Sequence, residues 1–376
     1  MRTPCYIIDR NALEKNLRIL SGVMSSTGCH ILLAQKCFSC YALYPLVGEY
    51  LSGATASGLY EAELCHEEMP GKENHIFSPA FKEEDFPRIL EICDHVVFNS
   101  VAQLRRFGPR AKAVGVSCGL RINPQISTQS PEHAIYDPCV KGSRFGVTLE
   151  EFEAAGAESL MELLDGLHFH TLCEQDSDDL KITLDEFERQ FKAYLPRLKW
   201  VNFGGGHHIT REGYDIPLLE QCIRRMSEGY GLEVYLEPGE AVALNAGYLC
   251  TRVLEIQHHP GSIDIAILDT SAACHMPDVL EMPYRPPLRA SGNPGEKAFS
   301  YRLGGPTCLS GDVIGDYSFD APLKEGDLLT FEDMAIYSMV KNNTFNGMPL
   351  PDILIKDGER LKLHKSFSYS DFKSRL

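Results

Sequence analysis

Nowhere does this chain carry an apolar run approaching the roughly 18 residues of a membrane span. The opening MRTPCYIIDR also lacks the apolar core of a secretory signal, so a cytoplasmic protein is expected. Positive charge is short as well: 36 Lys and Arg stand against 52 Asp and Glu, leaving a net charge of −16. Such a surface repels phosphate backbones and anionic membranes, which argues against nucleic acid or a membrane as partner and suits a small cationic substrate better. Low-complexity tracts and short-period repeats are absent. Cysteine is not scarce, but the 13 thiols are odd in number and scattered from Cys5 to Cys308, so free thiols in a reducing compartment are expected rather than a disulfide framework. Cys37-Phe38-Ser39-Cys40 matches C-x-x-C, yet no second pair completes a zinc site and the strand before it is not thioredoxin-like; the match reads as coincidence.

What is present is a packed protein. Hydrophobic residues make up 44% and charged residues 23% of 376 positions, which excludes disordered and fibrous classes. The length calls for two domains or one barrel with an appendage. From Asn11 onward, short apolar runs alternate with longer stretches of helical period, the pattern of βαβ units. The first helix carries Leu13, Leu17, Leu20 and Met24 on one stripe. Strands are predicted at His30 to Lys36, Gly53 to Ser57, His75 to Ser78, His95 to Ser100, Ala113 to Asn123, Gly166 to Thr171, Trp200 to Phe203 and Glu233 to Glu237. Eight parallel strands with covering helices in this length fit a (β/α)₈ barrel; a doubly wound open sheet is the competitor.

After Ala241 the rhythm changes to extended runs at Tyr248 to His258, Ile263 to Thr270, Phe299 to Leu303 and Leu328 to Ile336, broken by Gly and Pro. This predicts a second, mainly β domain. The strand-like Cys5 to Asp9 is expected to join it, giving a barrel over 11–240 and a β domain over 1–10 and 241–376.

Reacting groups in such a barrel come from the carboxyl ends of the strands, whose loops converge on one mouth. Lys36 ends the first barrel strand. A solvated cap is the ordinary reading; the sharper one is an amine in a partly desolvated mouth, with a lowered pKa and the ability to condense with an aldehyde. His168 and His170 alternate on one strand face, which suits metal ligation, a ring stacked on a cofactor, or two hydrogen-bonded core residues. Gly204-Gly205-Gly206 directly after a strand can close backbone N–H groups on a phosphate. Glu237, in Glu237-Pro238-Gly239-Glu240, is either a surface acid or a carboxylate that keeps a cofactor ring nitrogen protonated.

A strand-end lysine, a mid-barrel histidine, a glycine triplet, Glu-Pro-Gly and Gly305-Pro306-Thr307-Cys308 occur here in one order. In that order the chain resembles the fold type III pyridoxal-phosphate decarboxylases of ornithine, arginine and diaminopimelate, which are distant relatives of alanine racemase. Ser143-Arg144-Phe145-Gly146, Leu268-Asp269-Thr270-Ser271 and Cys274-His275-Met276-Pro277-Asp278 are similar to the carboxynorspermidine/carboxyspermidine branch. The resemblance covers essentially the whole chain.

It implies pyridoxal 5′-phosphate as cofactor and a homodimer whose active sites are shared across the interface. Lys36 would condense with the cofactor aldehyde, His168 would stack on the ring, and Glu237 would pair with the ring nitrogen. Gly205 and Gly206 would hold the phosphate with Tyr337, and Thr171 is a further cofactor candidate. Cys308, from the partner subunit, would protonate the carbanion carbon after CO2 leaves. Glu240, Asp269 and Asp312 are expected to meet the cationic substrate tail; Ser57 and Arg144 receive no assigned role. Two departures from the ornithine-type pattern stand out. Glu240 replaces an arginine near the phosphate, and Leu309 follows Cys308 where an acid is usual, which weakens a diaminopimelate or ornithine assignment. Glu237 in place of a racemase arginine favours decarboxylation. The rivals are a metal-dependent amidohydrolase-like barrel on His168 and His170, a non-catalytic pyridoxal-phosphate carrier, and a decarboxylase of another diamino acid.

Overall fold

Cys5–Asp9 forms the first strand, β1. The next eight are His30–Ala34 (β2), Gly53–Ala56 (β3), Glu73–Phe77 (β4), His95–Phe98 (β5), Ser117–Arg121 (β6), Gly166–His168 (β7), Trp200–Asn202 (β8) and Glu233–Leu236 (β9). They pair in parallel in chain order, and β9 returns to β2 to close a barrel. This computed structural model describes residues 2–130 and 137–376. It divides into two compact units: Glu14–Val242, and the residues up to Leu13 together with Ala243–Leu376. The open-sheet alternative is thereby replaced by closure.

Packing inside the barrel accounts for two glycines on its strands. Trp200, the only tryptophan, points inward, and a Cβ at Gly119 or Gly166 would overlap its ring. The indole N–H donates to Ser117 Oγ at 2.9 Å, which satisfies the one polar atom of this buried side chain. Helices start where side chains can cap them: Ser100 accepts from Gln103 N, and Thr148 with Glu151 forms a capping box. With every barrel strand parallel, residues 34–36, Arg121, His168, Asn202 and Glu237 emerge at the same rim.

In the other unit, Gly247–Gln257 (β10), Asp264–Leu268 (β11), Phe299–Gly304 (β12), Val313–Phe319 (β13), Leu328–Glu332 (β14), Asp352–Asp357 (β15) and Arg360–Lys365 (β16) build one sheet. Its order is β13-β12-β11-β10-β1-β15-β16, with β14 also on β10. The N-terminal β1 lies inside it, antiparallel to β10 and parallel to β15. Sequence reading did not single out β13, β15 and β16. The last of these, Arg-Leu-Lys-Leu-His-Lys, is largely exposed and carries the charges that protect an edge, so it lacks a buried strand's pattern.

His275 in this unit is fully buried. Its Nδ1 faces Ser271 N at 3.2 Å and Thr270 Oγ1 at 3.0 Å, and its Nε2 faces Pro349 O at 3.0 Å. Since a backbone N–H can only donate and a carbonyl can only accept, the ring is neutral with its proton on Nε2. Burial lowers its pKa to about 4, against an ordinary 6.5. Below pH 6.5 the unfolded chain therefore takes up a proton that the folded state refuses, and stability falls by about 3 kcal/mol on reaching pH 4. His275→Gln should flatten the pH dependence of the urea midpoint over that window; an unchanged slope would refute this account.

Candidate active site

Lys36 projects from the end of β2 into the barrel mouth. Its side chain is exposed there, although the protein around its ammonium removes part of its hydration. Burial, then repulsion from Arg121, lowers its pKa, while Glu237 opposes the shift. The mouth thus holds a lysine with an enlarged fraction of nucleophilic neutral amine.

Glu237 follows β9 and is buried. Asn202 Nδ2 donates to its Oε1 at 2.9 Å, and His168 Nε2 lies 3.3 Å from its Oε2. Burial alone would raise this carboxyl, but His168 and the Asn202 amide outweigh it and hold the pKa at about 2. His168 itself is pushed below its ordinary value, first by burial, then by Arg121 and Lys36, against the pull of Glu237. At neutral pH the pair is therefore a carboxylate beside a neutral imidazole. One face of His168 is covered by Phe77, with ring centroids 5.6 Å apart.

The glycine triplet is built onto the same acid. Asn202 Oδ1 accepts from Gly204 N at 2.8 Å, and Gly204 O accepts from Glu237 N at 2.8 Å. A Cβ at Gly205 would sit 2.6 Å from Glu237 O, while Gly206 has φ +83° and lies against Leu172 O, so neither position admits a side chain. No described residue accepts from the Gly205 or Gly206 N–H. Two free backbone donors after a barrel strand suit a phosphate.

Arg121, at the end of β6, is the largest omission of the sequence reading. It lies 4.7 Å from the Phe77 ring centroid and 4.4 Å from that of Phe145, and it donates to His170 O at 3.0 Å. Burial lowers its pKa to about 10, so it stays a cation. A signal existed, because the rule that picks Lys36 and Glu237, a charge at a strand's carboxyl end, picks Arg121 too. A strand expected to run on to Asn123 hides it in mid-run. The Ser143 to Gly146 stretch supplies Phe145 to this stack, and Arg144 packs on the same ring at 4.2 Å. Arg121→Gln should raise the Lys36 pKa by removing the repulsion. The alkaline limb for condensation of the apoprotein with pyridoxal phosphate should then move to higher pH; a limb that stays in place would show that the guanidinium does not act on the amine.

Other expected residues fall differently. Thr171 is buried with its hydroxyl 3.3 Å from that of Thr183. Glu240 lies 3.4 Å from His208 Nε2, and with Glu174 forms a cluster of ligating atoms within 4.8 Å; His208 was not foreseen. Ser57 is exposed, and its N–H donates to Glu61 at 2.6 Å. In the other unit Cys308 is exposed, and Tyr337 holds φ +46°, a strained setting for a bulky residue and one typical of functional sites.

Asp312 and Asp269 are both hydrogen-bonded. Asp312 Oδ2 accepts from Thr307 Oγ1 at 2.6 Å and its Oδ1 from Ala273 N at 3.3 Å, so it pins the loop that carries Cys308. Asp269 accepts from Thr251 Oγ1, Arg252 N and Thr3 Oγ1 at 2.6, 2.8 and 2.6 Å. Both carboxylates are engaged within their own unit by neutral donors and keep further acceptor capacity on their oxygens. Cys37 and Cys40 are buried thiols that form no disulfide with each other.

An ionised acid, a neutral histidine with buried, unpartnered Nδ1, a pKa-lowered lysine and two free N–H donors together fit pyridoxal phosphate. The same mouth also places His168, His170 and Glu237 with ligating atoms within 4.8 Å, so geometry alone keeps the metal-dependent rival open. The family model "Pyridoxal-dependent decarboxylase, C-terminal sheet domain" matches residues 5–335. The chain belongs to the pyridoxal-dependent decarboxylases. Pyridoxal phosphate is thus its cofactor, and decarboxylation its reaction class. Carboxynorspermidine/carboxyspermidine decarboxylase of Campylobacter jejuni is 41% identical, over 100% of this chain and 98% of the relative. Carboxyaminopropylagmatine decarboxylase of Synechocystis sp. is 40% identical, over 100% and 95%. The crystal structure of carboxynorspermidine decarboxylase from C. jejuni complexed with norspermidine matches with TM-score 0.91 and 40% identity, covering 100% of both chains. No helix among the described residues is long and apolar enough to cross a membrane.

Proposed function

We propose that this decarboxylase removes the carboxylate of carboxynorspermidine or carboxyspermidine, releasing norspermidine or spermidine in polyamine biosynthesis. What carries the reading is full-length similarity to an enzyme of that activity, joined to a mouth that holds Lys36, His168 and Glu237. A second reading, a substrate whose tail ends in a guanidinium, is favoured by the similarly close Synechocystis relative.

Residues 11–240 serve as the cofactor-binding barrel domain, and 1–10 with 241–376 as the β domain. Pyridoxal phosphate supplies an aldehyde that condenses with amines and a pyridine ring that takes up the electron pair left on the α-carbon when CO2 departs. Lys36 Nζ presents the amine for that condensation. Glu237, as an anion, holds a proton on the ring nitrogen. His168 packs on the ring, the Gly205 and Gly206 N–H groups hold the phosphate, and Thr171 and Tyr337 supply hydroxyls to it. Glu240 draws a cationic nitrogen of the substrate tail. The partner subunit's Cys308 delivers a proton from Sγ to the α-carbon, which makes the active unit a homodimer, placed in the cytoplasm.

Release of CO2 from a panel of carboxynorspermidine, carboxyspermidine, carboxyaminopropylagmatine, diaminopimelate and ornithine tests the substrate. The first two should exceed diaminopimelate and ornithine by at least about 10²-fold in kcat/KM. A larger value for diaminopimelate or ornithine sinks the proposal, and one for carboxyaminopropylagmatine replaces it by the second reading. Mixing inactive Lys36→Ala and Cys308→Ala proteins should restore part of the activity; no recovery would argue against shared sites.

A further inference from the structure

A second constellation lies at the opposite end of the barrel. Glu73 begins β4 and His95 begins β5, while His75 stands two residues into β4 beside His95 in register. Their ligating atoms lie within 4.8 Å of one another. Glu73 divides its oxygens: Oε1 is 2.8 Å from His30 Nδ1 and Oε2 is 3.0 Å from His75 Nε2. The His75 and His95 rings stack at 4.0 Å with an interplanar angle of 16°. His95 Nδ1 is buried and has no hydrogen-bond partner. An unpaired buried nitrogen is destabilising, and nothing in the decarboxylation mechanism uses it.

This cluster is separate from the mouth. Leu32, Val97, Trp200 and Tyr235 form an apolar layer with Phe77 packed against it, and Phe77 in turn covers His168. Phe77 stands four residue steps along β4 from Glu73, about 13 Å in a strand.

We propose that Glu73, His75 and His95 form a zinc-binding site at the base of the barrel. Two imidazoles and a carboxylate are donors for a borderline first-row dication, whereas magnesium and calcium require oxygen shells. The ion takes the place of the proton that His75 and Glu73 share, and it gives His95 Nδ1 its missing partner. His30 acts on the outer oxygen of Glu73, orienting the carboxylate so that Oε2 faces inward. Water fills the fourth position. The site ties β4 to β5 across their first residues, a structural role independent of the substrate reading.

The test uses holoenzyme saturated with pyridoxal phosphate, so that the cofactor covers the cluster of His168, His170 and Glu237. Dialysed wild-type protein given zinc chloride should retain one zinc per chain, and a chelator should lower its Tm. His95→Phe keeps a ring stacked on His75 but removes the ligand nitrogen. It should hold zinc at least about tenfold more weakly and lose the chelator response, and Glu73→Gln should behave alike. Zinc content equal in wild type and His95→Phe, or no zinc retained by wild type, overturns the site. Should the variants fail to fold, anomalous diffraction at the zinc edge from wild-type crystals decides: an ion between β4 and β5 supports the site, and an ion elsewhere or none refutes it.

Discussion

Lys36→Ala protein is expected to lose turnover by on the order of 10⁴-fold or more in kcat while keeping its Tm within a few degrees. Two things follow from removing the Lys36 amine. The cofactor has nothing on the protein to condense with, so borohydride should no longer fix a pyridoxyl group at residue 36, and near-visible absorbance of the purified protein should fall to that of free cofactor. The substrate must then react with cofactor held only by noncovalent contacts, without the covalent exchange that a lysine of lowered pKa makes fast. The fold should tolerate the change, since Lys36 projects into the mouth rather than into the packed wall. Turnover within about tenfold of wild type would refute the assignment, because general acid–base or nucleophilic groups contribute at least about 10²-fold where they act.

Glu237→Gln comes second in size. The amide keeps the shape of the acid and can still bond Asn202 and His168, but it carries no charge. A carboxylate held at about 2 is ionised throughout the working range, so in its proposed role it would favour a protonated ring nitrogen at every useful pH. The variant should lose about 10²- to 10³-fold in kcat, the size of a removed electrostatic stabiliser in a water-poor site, with a much smaller change in KM. Glu237→Asp retains the charge and should recover part of that loss. Equal kcat values for Gln and wild type would mean that the charge opposite the ring is idle. Burial and the loss of the carboxylate both act against a proton on His168, so its pKa should fall further in Glu237→Gln, observable by NMR of its ring protons.

Much of this site is readable before any fold is known. Lys36, His168, Glu237 and the Gly204 to Gly206 run are each a residue type placed directly at or after an apolar run, and in a parallel barrel those positions converge. Arg121 follows the same rule but is masked, because apolar pattern does not mark where a strand stops; Ile122 continues the run into a bridge with Val147. Asp269 and Asp312 show what a sequence leaves out. Each stands beside a motif in the chain, and only the fold shows the hydrogen bonds of Asp269 to Thr251 and Arg252 and of Asp312 to Thr307. The base cluster escapes the sequence because Glu73 and His95 open strands and His75 lies near the start of one, where polar residues are ordinarily solvated.

Sequence alone determined the eight-strand alternation, the change of rhythm after Ala241, the candidate reactive groups and their order along the chain, since each is a local pattern of side-chain type and period. Tertiary structure decided which of those groups act on one another: the acid beside the histidine, the guanidinium near the amine, the asparagine that ties a glycine turn to a carboxylate. Ionisation and hydrogen-bond capacity depend on burial and on neighbours a few ångströms away, and those neighbours come from strands far apart in the chain.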